Sequence, residues 1–165
     1  VRLVLVDRSC GATDLADRHN VESRLVERIG FDDSFDRDAY STAVADALSQ
    51  AAVDVVAMAG FGTVLSAPFF ERYAGRVLNT HPALLPSFPG WHGVRDALDY
   101  GVKVTGCTVH VATEEVDAGP ILAQAAVDVV PEDDVATLHE RIKSVERQLY
   151  PSTIKRFLES LEDTP

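Results

Sequence analysis

Short apolar runs alternate with segments of helical period along almost the whole chain, and this alternation limits the fold more than any other feature. The opening run Val1-Arg2-Leu3-Val4-Leu5-Val6 and the run Val53 to Ala59, VDVVAMA, are rich in β-branched residues and apolar on both faces. A strand of that kind has no solvent face, so it belongs in a parallel sheet packed by helices on both sides. Between the two, Asp33 to Gln50 carries Phe35, Ala39, Ala43 and Ala47 at spacings of four, the repeat of one helix face.

The remaining segments extend the pattern. Asp7 to Gly11 is a polar turn, residues 12 to 20 form a short polar helix, and Leu25 to Ile29 is a weaker strand. Ser66 and Pro68 open a short helix through Tyr73, with Ser66 as N-cap and Pro68 in the first turn. Arg76 to Asn79 is another strand. The stretch from 80 to 91 then holds three prolines, too many for a helix or a central strand. A helix from His92 to Tyr100 follows. Val104 to Ala112 and Ile121 to Val130 pair as neighbouring strands across the loop Thr113 to Pro120. Val135, Leu138, Ile142, Val145 and Leu149 step three and four residues apart along the strongest amphipathic helix. Pro151 is expected to interrupt it, with a second helical stretch to Leu161. The whole reads as one α/β domain over residues 1–165, a mostly parallel sheet with an antiparallel end.

Composition narrows the function. The 26 acidic and 15 basic side chains leave a net charge of −11, unsuited to a broad phosphate-backbone interface, so no nucleic-acid partner is expected. With 46% hydrophobic residues the chain holds enough apolar material for a core, and no run of about 18 uninterrupted apolar residues suggests a membrane span. The first residues lack a basic leader and a small-residue cleavage pattern, so no signal peptide is expected. Cys10 and Cys107 match no metal or redox spacing, which fits a reducing, cytoplasmic setting.

Ligands of open α/β sheets gather at the carboxyl ends of strands, where Gly60 to Leu65 and Asn79 to Trp91 fall. Thr113 to Gly119 is a third candidate. Asn79 and His81 share one side of an extended segment and can both donate to one developing oxyanion. The loop TEEVDAG adds Glu114, Glu115 and Asp117. These groups suffice for acyl transfer without a covalent intermediate. Asn79 would polarise the carbonyl, protonated His81 would stabilise the tetrahedral oxyanion, and Asp117 would hold the imidazole protonated and take protons from an amine. Each donor is worth roughly 3 kcal/mol in such a transition state. Plainer readings stand beside this one. An Asn-x-His at a strand end also suits a satisfied turn, and Asp117 before Ala-Gly also suits a turn brace. His92 fits a helix N-cap, His110 a core position or a pocket lining, and His19 and His139 ordinary surface sites. His81, His92, His110 and Asp117 fit no zinc spacing, so no metal is expected. Nucleophile-elbow, P-loop and G-x-G-x-x-G signatures do not occur.

The segments NTHPALLPSFPGWHGVRDAL, GVKVTGCTVHVATEEVDAGPILAQAAVDVVPEDDVATLHERI and VERQLYP closely resemble the phosphoribosylglycinamide formyltransferases. The resemblance runs from Val53 to Pro151, and more loosely from Val1. The pattern NxHPxLLP marks the wider formyltransferase superfamily, and PGWH, VTGCTVH and VDAGPILAQ mark the glycinamide ribonucleotide branch. It implies a three-layer Rossmann-like fold and transfer of a formyl group from 10-formyltetrahydrofolate to the amine of glycinamide ribonucleotide, in purine biosynthesis. Asn79, His81 and Asp117 then hold the catalytic positions. Gly62, Thr63, Val64 and Leu65 match the backbone that contacts the folate, Thr113, Glu114, Glu115, Val116 and Asp117 the loop over the pterin, and Arg37 a ligand-contacting arginine. Glu146, with His92, falls to the substrate. The Leu85-Pro86 bond is expected to be cis. Both partners are small molecules, and a monomer or homodimer is expected. Rival readings are another folate-dependent formyltransferase or hydrolase, and a catalytically silent folate-binding domain.

Two departures stand out. After Ala59-Gly60-Phe61 the family continues Met-Arg, where this chain has Gly62-Thr63. Backbone contacts survive that change; any aliphatic or cationic contribution does not. The family also begins with a strand, a Gly-rich phosphate loop and a helix before the strand matching Val1 to Val6, and this sequence contains no such βα unit. The favoured expectation is a longer native chain. Otherwise dimerisation, instability or another segment filling the gap is expected, because the sheet edge and an apolar face lie bare.

Overall fold

In the computed structural model, which describes residues 1–30, 32 and 35–162, the opening apolar run forms strand β1 at Leu3–Val6. The chain divides into two compact units, one of Val1–Val56 with Gly60–Arg76 and one of Ala57–Ala59 with Val77–Pro165.

In the first unit, helix α1 (Gly11–Arg18) leads into strand β2 (Glu22–Leu25), which pairs in parallel with β1 from Leu3↔Glu22 to Val6↔Leu25. β2 thus starts earlier than the expected Leu25 to Ile29. The cause lies in the turn after α1, where Asn20 takes a φ of 53° and Val21 N–H returns to the Ala16 carbonyl, releasing the chain for pairing at Glu22. Ladder bonds still reach the expected region, from Val26 N–H to Val6 O and from Arg28 N–H to Asp7 O, both 3.0 Å.

Helix α2 (Arg37–Gln50) is capped by Asp36, whose carboxylate accepts from Ala39 N–H at 2.9 Å. Its expected start at Asp33 lies outside the described residues. Ala52 then turns left-handed, with a φ of 51°, and Val53 N–H bonds back to Leu48 O. That Schellman-type closure consumes Val53, so strand β3 is only Val56–Ala57 rather than the whole apolar run. Helix α3 (Ala67–Arg72) has Pro68 in its first turn as expected. Ser66 stands at its N-cap, but the hydroxyl makes no cap bond and is spent on Ser41 instead.

The second unit is built on strands β4 (Val77–His81), β5 (Val104–Val111) and β6 (Ile121–Asp128), with helices α4 (Gly93–Tyr100) and α5 (Val135–Glu162). The sheet order is β3-β4-β5-β6, and both β4/β5 and β5/β6 are antiparallel. β3 and β4 run in the same direction, since Val56 N–H meets Arg76 O and Met58 N–H meets Leu78 O. β4 is longer than expected. It takes in Thr80 and His81, because pairing with β5 persists to His81↔Thr108 and only Pro82 ends the ladder.

α5 runs unbroken through Pro151, against the expected interruption. An interior proline costs about 3 kcal/mol in a helix. Apolar packing on both sides of it prevails: Tyr150 joins the buried cluster of Leu78, Val109 and Val111, with Leu149, Ile154 and Phe157 against it. A second cluster, Val94, Cys107, Val127, Leu138 and Ile142, takes the expected apolar stripe of α5. The Tyr150 hydroxyl lies 2.9 Å from the carbonyl oxygens of both Met58 and Leu78. Leu85-Pro86 is cis. Among the described residues no helix is long and apolar enough to cross a membrane.

Candidate functional site

Strand geometry assembles a polar cluster inside the second unit. Asn79 and His81 sit two residues apart on β4 and so project to one face, while register places His110 of β5 directly opposite Asn79. The loop after β5 supplies the fourth member. Asp117 takes a φ of 56°, a left-handed conformation costing about 1 kcal/mol for a side-chain-bearing residue. It aims the carboxylate inward, although Thr113, Glu114, Glu115 and Val116 of the same loop are exposed. Gly119 makes this path possible, because a Cβ there would lie 1.8 Å from the Val111 carbonyl oxygen.

His81 has acceptors at both ring nitrogens. Nδ1 is 3.2 Å from Asp117 Oδ2, and Nε2 is 2.7 Å from the Phe88 carbonyl oxygen. A carbonyl and a carboxylate only accept, so a ring that donates to both is the imidazolium. Asp117 Oδ2 also accepts from Gly90 N–H at 2.8 Å, and its Oδ1 lies 3.5 Å from His110 Nε2. That same nitrogen is 3.3 Å from the Asn79 side-chain nitrogen, and His110 Nδ1 is 3.2 Å from the Val111 carbonyl. A proton at His110 Nε2 faces Asp117; a lone pair there faces the Asn79 amide.

Burial drives the Asp117 carboxyl upward in pKa, but the His110 hydrogen bond, the Gly90 N–H and the two imidazole charges together hold it below the usual carboxylate range. Ionised Asp117 and the His81 imidazole therefore form a buried pair, at 7% and 5% side-chain exposure. Gly93 at the start of α4 completes the enclosure, since a Cβ there would stand 3.0 Å from both His81 Nε2 and the Phe88 oxygen.

Sequence reasoning thus brought together three of the four side chains. His110 was left between core and pocket, and its signal was present in β5, where side chains two apart share a face. The Phe88 carbonyl and Gly90 N–H are backbone groups that side-chain patterns do not reveal. His92 and Glu146 are not drawn into this cluster. His92 is exposed and occupies the N-cap position of α4 without a side-chain cap bond. Glu146 is half-buried on α5, where its charge helps burial push the Cys107 thiol up to about 11. His139, expected as an ordinary surface residue, is half-buried, and burial lowers its pKa. Among the described residues no group of three or more His, Cys, Asp or Glu is arranged to hold a metal ion.

The residues expected to meet the folate in the first unit are also specific in their placement. Thr63 is buried, and its hydroxyl donates to Asp7 Oδ2 at 3.0 Å. Leu65 is buried, while Gly62 and Val64 are half-buried. Ser66 N–H donates to Ser41 Oγ at 2.9 Å. Arg37 is exposed at the first turn of α2.

Comparison with known proteins gives a consistent result. Residues 5–154 match the family model described as formyl transferase. A Mycobacterium tuberculosis protein named phosphoribosylglycinamide formyltransferase is 49% identical over 149 residues, covering 90% of this chain and 68% of its own length. The trifunctional purine biosynthetic protein adenosine-3 of Bos taurus is 42% identical over 86% of this chain, which spans only 14% of that protein. The crystal structure of glycinamide ribonucleotide transformylase 1 from Symbiobacterium toebii superposes with a TM-score of 0.92 at 39% identity, covering 97% of this chain and 74% of that one. A phosphoribosylglycinamide formyltransferase structure from Bacillus halodurans gives 0.91 at 33% identity, over 99% and 84%. The α/β architecture is accordingly the Rossmann-like one of these structures. With a family model spanning most of its length and relatives this similar, the chain belongs to the formyl transferase family, in its phosphoribosylglycinamide formyltransferase branch.

Proposed function

We propose that the chain transfers a formyl group from 10-formyltetrahydrofolate to the amine of glycinamide ribonucleotide, a step of purine assembly carried out in the cytoplasm. The observation that carries the reading is His81, held between Asp117 and the Phe88 carbonyl, with Asn79 two residues before it on β4. The substrate amine attacks the formyl carbon, whose oxygen becomes an oxyanion. Asn79 donates to that oxygen, and His81 Nε2–H transfers its hydrogen bond to it from Phe88. Asp117 keeps the imidazole cationic and relieves the attacking nitrogen of its proton, directly or through water. Collapse of the tetrahedral intermediate breaks the bond to the folate nitrogen, which takes up a proton on leaving.

The backbone of Gly62 to Leu65, the loop Thr113 to Asp117 and Arg37 hold the folate in this reading, and Glu146 and His92 hold the glycinamide substrate. The test is a formylation assay across glycinamide ribonucleotide, an amino-sugar nucleotide, methionyl-tRNA and water as acceptors. Only the first should turn over at a substantial rate, and His81→Ala should remove that activity while tetrahydrofolate binding persists. Near-normal turnover by His81→Ala defeats the mechanism, and preference for another acceptor defeats the substrate assignment.

A further inference from the structure

We infer that Asp7 is a positioning residue for the Gly62–Leu65 segment, and that it acts through Thr63; this rests on the reading of that segment as a folate contact. Asp7 follows the last residue of β1, at the carboxyl end of a parallel strand, yet it is 5% exposed. A buried carboxylate needs partners, and among the described residues Asp7 meets Thr63 Oγ1 at 3.0 Å on Oδ2 and Arg8 Nη1 at 2.9 Å on Oδ1. Arg8 is largely exposed, so its ion pair is screened by water. Thr63 is 4% exposed, which makes its bond the one that Asp7 cannot replace with solvent.

That bond joins residues 56 positions apart and ties Thr63, the second residue of the segment, to the residue just past β1. The residue after the segment is fixed independently. Ser66 N–H and hydroxyl both meet the Ser41 hydroxyl on α2, and Ser41 is fully buried. Thr63 and Ser66, which bracket Val64 and Leu65, are thus held by the side chains of Asp7, just past β1, and of Ser41 on α2. Where the family has an arginine, this chain places a hydroxyl that faces inward, so position 63 sets the placement of the backbone rather than touching the folate with its side chain.

The test uses the full chain and tetrahydrofolate as the probe, with its Kd measured by calorimetry and KM and kcat measured in the formylation assay. Thr63→Val keeps shape and removes the donor; Asp7→Ala removes the acceptor; Asp7→Asn keeps an acceptor oxygen. Thr63→Val and Asp7→Ala should each raise the tetrahydrofolate Kd and the formyl-donor KM about fivefold. The KM for glycinamide ribonucleotide and kcat should each move less than about twofold. Asp7→Asn should stay near the parent, and the Asp7→Ala, Thr63→Val double variant should be no worse than either single one. A folded Thr63→Val with unchanged Kd overturns the inference, as does an Asp7→Asn as weak as Asp7→Ala. Should Asp7→Ala fail to fold, Thr63→Val and Asp7→Asn still decide it. If the unmodified chain binds no tetrahydrofolate, the folate reading itself falls and takes this inference with it.

Discussion

Gly93→Ala is the sharpest probe of how His81 is held. Gly93 is the first residue of α4, and the position is open to alanine as far as the helix is concerned. Alanine in place of glycine favours a helix by about 1 kcal/mol. The obstacle is the neighbour. The added methyl carbon would stand 3.0 Å from His81 Nε2, 3.0 Å from the Phe88 oxygen and 3.2 Å from His81 Cε1. Ordinary carbon contacts begin at about 3.5 Å, so roughly 0.5 Å must be found. His81 cannot yield toward Asp117, which already lies at 3.2 Å, and its backbone is fixed in the β4 ladder. The shift therefore falls on the 2.7 Å bond between Nε2 and Phe88 and on the aim of the imidazole. A displacement of about 1 Å at a reacting group costs on the order of 100-fold, and half of it about 10-fold. Steady-state formyl transfer should show kcat reduced by about that factor. A folded Gly93→Ala enzyme with kcat within twofold of the parent would refute the claim that the close approach of α4 sets the position of His81.

Other perturbations test separate parts of the structure. Pro151→Ala in α5 should raise Tm by several degrees, since relief of about 3 kcal/mol of helix penalty exceeds the roughly 1 kcal/mol that proline saves in the unfolded chain, and Pro151 is exposed; an unchanged or lower melting temperature counts against it. Gly119→Ala should cost at least about 2 kcal/mol in urea unfolding or prevent soluble expression, because its methyl would meet the Val111 carbonyl at 1.8 Å. Asp133 is held well below the usual carboxylate range by the Arg141 guanidinium and the Val130 N–H. Its folded pKa is depressed, so its contribution is present above the ordinary carboxylate pKa and is lost as pH falls toward the folded value. The melting-temperature gap between the parent and Asp133→Asn should accordingly narrow below about pH 4, and a gap constant with pH would contradict this.

The parts legible in the sequence were those where one local rule decides. VTGCTVHV and ILAQAAVD, joined by a loop with Gly and Pro, form the antiparallel pair expected of them. Asn79, His81 and Asp117 converge because strand periodicity and a turn-forming Asp-Ala-Gly work over short distances. The misses came from competition between elements. Pro151 looks like a stop until the packing of Tyr150, Ile154 and Phe157 on either side is counted. β2 began early because a left-handed Asn20 shortened the turn before it, and VDVVAMA lost Val53 to a helix cap. Thr63 reads as a ligand residue by position, and only the fold shows its hydroxyl turned to Asp7.

The Phe88 carbonyl has a consequence for selectivity along the reaction coordinate. A donor already engaged at 2.7 Å is no free resource, and any oxygen that claims it must displace a competitor. The formyl oxygen of the donor folate is neutral before attack, an acceptor of the same kind as the Phe88 oxygen, so the exchange gains almost nothing. Once negative charge develops, the same hydrogen bond becomes roughly twice as strong and the exchange turns favourable. In the proposed reaction, the backbone of residue 88 thus acts as an internal reference acceptor, and His81 discriminates the charge on an oxygen rather than the presence of one.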